Sequence, residues 1–151
     1  MSALYNTDIL RLATNIPHLG RLEDAQAHVE LRAPVCGSRV AIDVSLDDAG
    51  RVAVFAQTVN ACALGQASAA LLGAHVIGCS LAEVATARDA LRDYLKGARD
   101  DFGDWPGLGI FAAARPHSAR HASILLPFEA TAEAMKCAVE KTKNVEVKHA
   151  A

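Results

Sequence analysis

The sequence lacks most of what a nucleic-acid or membrane protein needs. Fifteen Lys and Arg stand against 17 Asp and Glu, a formal net charge of −2. That leaves no basic footprint for a phosphate backbone. The lysines near the end (Lys136, Lys141, Lys143, Lys148) are interleaved with Glu140 and Glu146 and read as a solvated helix face and tail. No apolar run approaches the roughly 18 residues of a membrane span. The start, MSALYNTDILRLA, has no charged segment followed by an apolar core, so it does not read as a secretory signal. A soluble cytoplasmic protein that binds neither nucleic acid nor membrane is the expectation. Also missing are a CxxC pair, an HExxH motif, a Gly-rich phosphate loop and a Gly-x-Ser-x-Gly elbow. There is no internal repeat and no interdomain linker.

What remains is a chain of 151 residues, 52% hydrophobic and 21% charged. These values suit one domain over 1–151, long enough to bury a core without staples. Cys36, Cys62, Cys79 and Cys137 are its four cysteines. In a reducing compartment they are not expected to form a disulfide framework, which leaves packing or thiolate chemistry.

TDILRLATNI (7–16) reads as a short helix with Thr7 as N-cap, ended by Pro17 and Gly20. AQAHVELRA (25–33) and SRVAIDVSL (38–46) alternate apolar and polar residues, the period of half-buried antiparallel strands. RVAVFAQTV (51–59), with Val52, Val54 and Phe55, supplies a third strand, and DDAGR (47–51) is a hairpin turn. APVCGS joins the first two strands through Pro34 and Gly37. From residue 60 the composition turns helical. ACALGQASAALLGAHVIG is small residues and leucine, so it should be buried on several sides. SLAEVATARDALRDYLKG opens with a Ser80–Glu83 capping box, carries a stripe of Leu81, Val84, Leu91 and Leu95, and closes at Gly97. DDFGDWPGLG (100–109) is a loop or broken turn. The stretch 118–141 is helical, with Pro127 either kinking it or opening its second half. The architecture is α+β: a small antiparallel three-stranded meander sheet with helices packed on one face.

Two cysteines occupy unusual places. With Asn60 as N-cap, Cys62 is the second residue of its helix. There the unpaired backbone N–H groups and the positive end of the macrodipole favour a thiolate. Ala63, Gly65, Ala67 and Ser68 behind it let other elements approach closely. Cys36 sits in a Pro-x-Cys-Gly-Ser turn at a sheet end. His121, beside Arg120 early in the last helix, is a surface, capping or ligand residue; Cys79 and Cys137 read as packing. Two thiols and an imidazole brought together could hold a tetrahedral ion with an open position, or iron with sulfide.

The order of these motifs resembles the IscU/NifU-type iron–sulfur cluster assembly scaffolds, including the zinc-binding SufU branch. The likeness runs from LYNTDILRLATNIPHLGRLEDAQAHVELRAPVCGSRVAIDVSL through VNACALGQASAALLGAHVIG to RHASILLPFEATAEAM. It implies a SufE/NifU-like fold and a scaffold or carrier rather than an enzyme. In that family three cysteines and an aspartate form the site. Carried over, the first two cysteines are Cys36 and Cys62, and the aspartate position holds Ser38. The third cysteine falls on Ala122 when HASIL is matched to the family's His-Cys-Ser-Ile-Leu, with His121 on the adjacent histidine. A shift of one residue puts His121 on the cysteine position instead.

The implied cargo is a [2Fe–2S] cluster or iron, alternatively Zn²⁺, held by Cys36, Cys62 and His121 with Ser38 or an external ligand. The implied partners are a cysteine desulfurase and apo-protein cluster acceptors. The proline-rich segment offered to a chaperone is poorly matched, since ARPHSAR keeps only Pro116. Two other functions remain open. One is a zinc-dependent sulfur-transfer partner of a desulfurase that uses Cys62. The other is a metal-free paralogue that kept the fold as a binding module.

Overall fold

The alternation in residues 27–46 becomes two strands of a sheet, and the third follows directly. The computed structural model describes residues 4–150, with side chains through Thr142. Its elements are α1 (Thr7–Ala13), β1 (Ala27–Ala33), β2 (Ser38–Leu46), β3 (Val52–Asn60), α2 (Ala63–His75), α3 (Leu81–Leu95) and α4 (His121–Ala150). Short 3₁₀ segments at Leu108–Ala114 and Ser118–Arg120 lead into α4. The sheet is antiparallel in the order β1-β2-β3. With its helices it makes the α+β meander expected.

Register decides which side chains meet the helices. Val29 pairs with Ile42 and Leu31 with Val40, while Val44 faces Phe55 and Ile42 faces Gln57. Val40, Ile42 and Val44 are fully buried on that face. Ser38, opposite Ala33, is on the same face at the sheet's end. α4 lies across β1 and β2, α2 packs beside it, α1 covers α2 and α3 covers α4. Fully burying side chains such as Phe128, Phe111 and Leu91 contributes about 1.5–3 kcal/mol each.

β3 departs from the expected pattern. Val54 is 47% exposed while Gln57 is buried. A register shift between Ser45 and Leu46 turns the strand. Gln57 enters the core because its amide donates to the carbonyls of Pro17 and Ala69. The free edge of β3 is covered at Gln57 by the 18–20 segment: Gly20 N–H donates to the Gln57 carbonyl and Gln57 N–H to the His18 carbonyl. On the opposite face Arg21, the Leu22 N–H and His28 converge on buried Asp43. Burial pushes that carboxyl up, but these donors together hold it below its ordinary value.

Helix ends bring two corrections. The N-cap of α1 is Asn6, not Thr7: its Oδ1 accepts from Ile9 N–H at 2.8 Å. α1 stops at Ala13, where Thr14 and Asn15 side chains donate to the Leu10 and Arg11 carbonyls. The N-cap of α2 is Cys62 itself, because Asn60 stays in β3 paired with Arg39. α3 has its full Ser80–Glu83 capping box, and α4 continues as one helix through Pro127. The segment expected as a loop carries a core anchor. Trp105 is buried, donates to the Leu71 carbonyl at 2.9 Å and meets Phe128 edge-on. Lys136, Glu140 and Lys141 are exposed as expected, whereas the side chains of Lys143, Glu146 and Lys148 lie outside the described residues.

Candidate metal centre

Topology gathers the site at one end of the sheet. Because β2 runs against both neighbours, its first residue, the last of β1 and the last of β3 share that end. The β1–β2 turn closes with Gly37 N–H donating to the Ala33 carbonyl at 2.9 Å, Gly37 taking φ +74°. Cys36 is therefore presented, exposed, just ahead of Ser38. Cys62 follows β3 and heads α2.

α4 delivers the piece that joins them. The Cys36 thiol donates to Ser38 Oγ at 3.2 Å. Ser38 Oγ lies 3.2 Å from Ser123 Oγ, which lies 3.4 Å from Cys62 Sγ. Both serines are buried, Ser123 at 1% exposure. This close approach depends on Gly65 in the first turn of α2. A Cβ there would stand 2.5 Å from Ser123 Oγ. The small-residue character of α2 is thus used where α4 crosses it, and Ser68 Oγ adds a bond to the Ile124 carbonyl.

The electrostatics single out Cys62. Burial pushes its thiol up, but the Ser123 hydroxyl, the Gly65 and Leu64 backbone N–H groups and the Arg120 charge together hold it below the ordinary value. As N-cap, the thiol makes no cap hydrogen bond of ordinary geometry, so the first-turn amides remain available to a thiolate. The cap lies two residues later than the sequence reading placed it, and Cys62 still heads α2.

The chain matches the NifU-like N terminal domain over residues 4–125. It belongs to that family. Among solved structures it is similar to the N-terminal part of a nitrogen-fixing NifU-like protein from Brucella abortus. That similarity has 36% identity and a TM-score of 0.80, over 91% of this chain and 96% of that one. A candidate iron–sulfur cluster assembly scaffold of the SUF system from Fervidobacterium islandicum AW-1 has the same fold, at 20% identity and a TM-score of 0.80, over 87% of this chain and 96% of that one. No curated protein matches.

Within this NifU-like domain the structure brings together three of the four residues expected to form the site. Cys36, Ser38 and Cys62 are linked through Ser123, while no hydrogen bond ties His121 to that string. His121 Nε2 instead donates to the carbonyls of Ala114 and Arg115, at 2.9 and 3.1 Å. Both partners are acceptors, so in the neutral ring the proton sits on Nε2 and the lone pair on Nδ1. Ala122, the other residue weighed for the third-cysteine position, is exposed. Among the described residues no group of three or more His, Cys, Asp and Glu side chains is placed to hold a metal ion. A cleft of about 570 Å³ lies elsewhere, between α3 and residues 99–106, with His75, Cys79 and Trp105 on its walls. Cys36 and Cys62 line a seam between sheet end and helix starts, not that cleft.

Ser123 is the residue that sequence reasoning missed. A serine in a helix reads as neutral, yet this one opens the apolar run Ile124–Phe128. A hydroxyl inside a buried stripe has to find a partner there, and that was the available signal. Cys79 and Cys137 are both half-buried against the core, in keeping with packing.

Proposed function

We propose that this NifU-like chain is an iron–sulfur cluster assembly scaffold or carrier that holds its cargo between Cys36 and Cys62. The observation that carries the reading is the pair of thiols, contributed by distant segments and joined through buried hydroxyls at one end of the sheet. Cys62 also packs partly buried against the core, but the exposed Cys36 is not among the residues packed there. The thiolate-favouring surroundings of Cys62 make it the first sulfur to bind, and exposed Cys36 is free to close on the same iron or zinc. Ser38 stands beside them as an oxygen donor. His121, with its Nε2 proton committed to carbonyls, offers Nδ1 in the manner usual for metal-ligating histidines. Cargo held by two thiolates and weaker donors is more easily surrendered than cargo held by four thiolates, which suits transfer to an apo-protein. A cysteine desulfurase is the sulfur source such a scaffold needs.

The test is elemental analysis and an absorption spectrum of protein purified without oxygen, beside Cys36→Ala and Cys62→Ala. Iron and sulfide in the wild type that both variants lose support the scaffold. Metal content unchanged in both variants overturns it. No metal after reconstitution with iron and sulfide also overturns it, and leaves a fold that has kept its shape without the chemistry.

The lowered pKa of Cys62 favours a second reading, sulfur transfer. Its thiolate would attack the outer sulfur of a desulfurase persulfide. A new S–S bond forms on Cys62, the donor's S–S bond breaks, and the electron pair leaves on the donor cysteine's thiolate. Desulfurase turnover that ignores added protein rules this out.

A further inference from the structure

We propose that the outer edge of β1 is a self-recognition surface, through which two copies of this chain pair antiparallel about Leu31 and join their three-stranded sheets into one. The inference is independent of what the thiols hold.

The two edges of the sheet are finished differently. At β3 the 18–20 segment takes up the backbone groups of Gln57. β1 pairs with β2 alone, in an unbroken register from Ala27 to Ala33. Among the described residues no other hydrogen bond reaches the backbone of residues 27–32. Alternate residues of such a strand turn their N–H and C=O groups outward, where a further strand can bond them. β1 contains neither a proline nor a bulge to prevent this.

Charge selects both the partner and the register. On the solvent side Arg32 lies directly opposite Arg39 of β2, a like-charge pair that is destabilising by itself. Among the described residues Arg32 has no ion-pair partner. Glu30 meets Arg39 only at 4.0 Å, and its side chain stays 43% exposed. When Leu31 faces the second copy's Leu31, each Glu30 faces the second copy's Arg32, and the two-fold axis makes this contact twice. Sliding one copy by two residues sets Glu30 against itself in one direction and Arg32 against itself in the other. A slide of one residue turns the apolar side chains to the wrong face. The neighbouring registers are therefore all disfavoured.

Packing agrees with that register. Val29 and Leu31 are only half-buried against the core on the helix side. In the pair the two Leu31 side chains cover each other, and Val29 faces the second copy's Ala33. Pro34 falls opposite His28 and, having no N–H, ends the ladder. The β1–β2 turns of the two copies lie at opposite ends of the paired strands, so each Cys36 stays open and the dimer blocks neither thiol pair.

The experiment is sedimentation equilibrium of the full chain from micromolar to millimolar concentration. A thiol reductant and a chelator are present, so that neither disulfides nor metal join the copies. Wild type is compared with Glu30→Arg, Arg32→Glu, the double exchange, and an equimolar mixture of the two single variants, each checked for a cooperative thermal melt. The wild type should show a reversible monomer–dimer equilibrium. Each single variant sets like charges in both facing pairs and should weaken association by at least about tenfold. The double exchange and the mixture should both recover it, because opposite charges face each other again. Arg32→Glu relieves the repulsion from Arg39 and should fold at least as well as the wild type; with the double exchange it decides the matter if Glu30→Arg fails to fold. A wild type that stays monomeric at millimolar concentration overturns the inference. So does a dimer that neither single variant weakens, or one whose loss in the single variants neither the double exchange nor the mixture restores.

Discussion

Cys62 and Cys79 each stand at the start of a helix, one residue apart in relative position, and their surroundings push them in opposite directions. Cys62 is the N-cap of α2, and Cys79 precedes Ser80, the N-cap of α3. At α3 the amides are consumed: Ser80 Oγ accepts from Glu83 N–H and the Glu83 carboxylate reaches back to Ser80. Burial and the Glu83 charge then raise the Cys79 thiol, and Arg51 offsets this only in part. Its sulfur donates to the His75 carbonyl as a thiol. At α2 the cap hydrogen bond is missing, and the unclaimed amides, a hydroxyl and Arg120 favour thiolate at Cys62. A helix start can be closed for stability or left open for chemistry, and this chain has one of each.

The largest separation should appear in metal content. After reconstitution with iron and sulfide, Cys62→Ala should weaken metal retention by on the order of a hundredfold, while Cys79→Ala matches the wild type; equal losses would break the comparison. Next comes alkylation by iodoacetamide, followed residue by residue by mass spectrometry across pH. The thiolate is the nucleophile. Cys62, lowered, should therefore reach its full rate at a lower pH than Cys79, raised, and should react several-fold faster near neutrality.

Ser80→Ala removes half of the capping box and should cost about 1 kcal/mol in urea unfolding, without changing Cys62 alkylation. Cys62→Ser should do the reverse. It supplies the absent cap and should stabilise the metal-free chain by several tenths of a kcal/mol while still weakening metal retention. A destabilised Cys62→Ser variant would mean that the thiol is a packing residue after all. The smallest effect belongs to Glu83→Gln. It keeps a capping partner but removes the charge, so Cys79 should alkylate somewhat faster and Cys62 not at all differently.

Much of this was legible in the sequence because it is local. Alternation gave β1 and β2, the capping box located α3, and the turn around Gly37 put Cys36 at a sheet end. Local signals failed where a distant segment decided the outcome. Gln57 is buried because Pro17 and Ala69 offer carbonyls, and neither is near it in sequence. Asn60 is the better N-cap by type, yet pairing with Arg39 makes it the last residue of β3 and hands the cap to Cys62. The resemblance to scaffold proteins located both thiols and Ser38, whereas Ser123 lies beyond what matching cysteine positions can find. Its role comes from a helix crossing between residues far apart in the chain.

That crossing has a consequence for how the chain can change. Gly65 has Ala61 Cβ 2.8 Å and Ser123 Oγ 2.5 Å from the place a methyl would occupy. Any larger residue there must move α4 away from α2 and draw the hydroxyl off the thiol in the same motion. The position has no private neutral space: a variant cannot drift toward looser packing without also altering the seam, nor alter the seam there while sparing the packing. Selection for a folded chain and selection for a working one act on Gly65 as a single constraint.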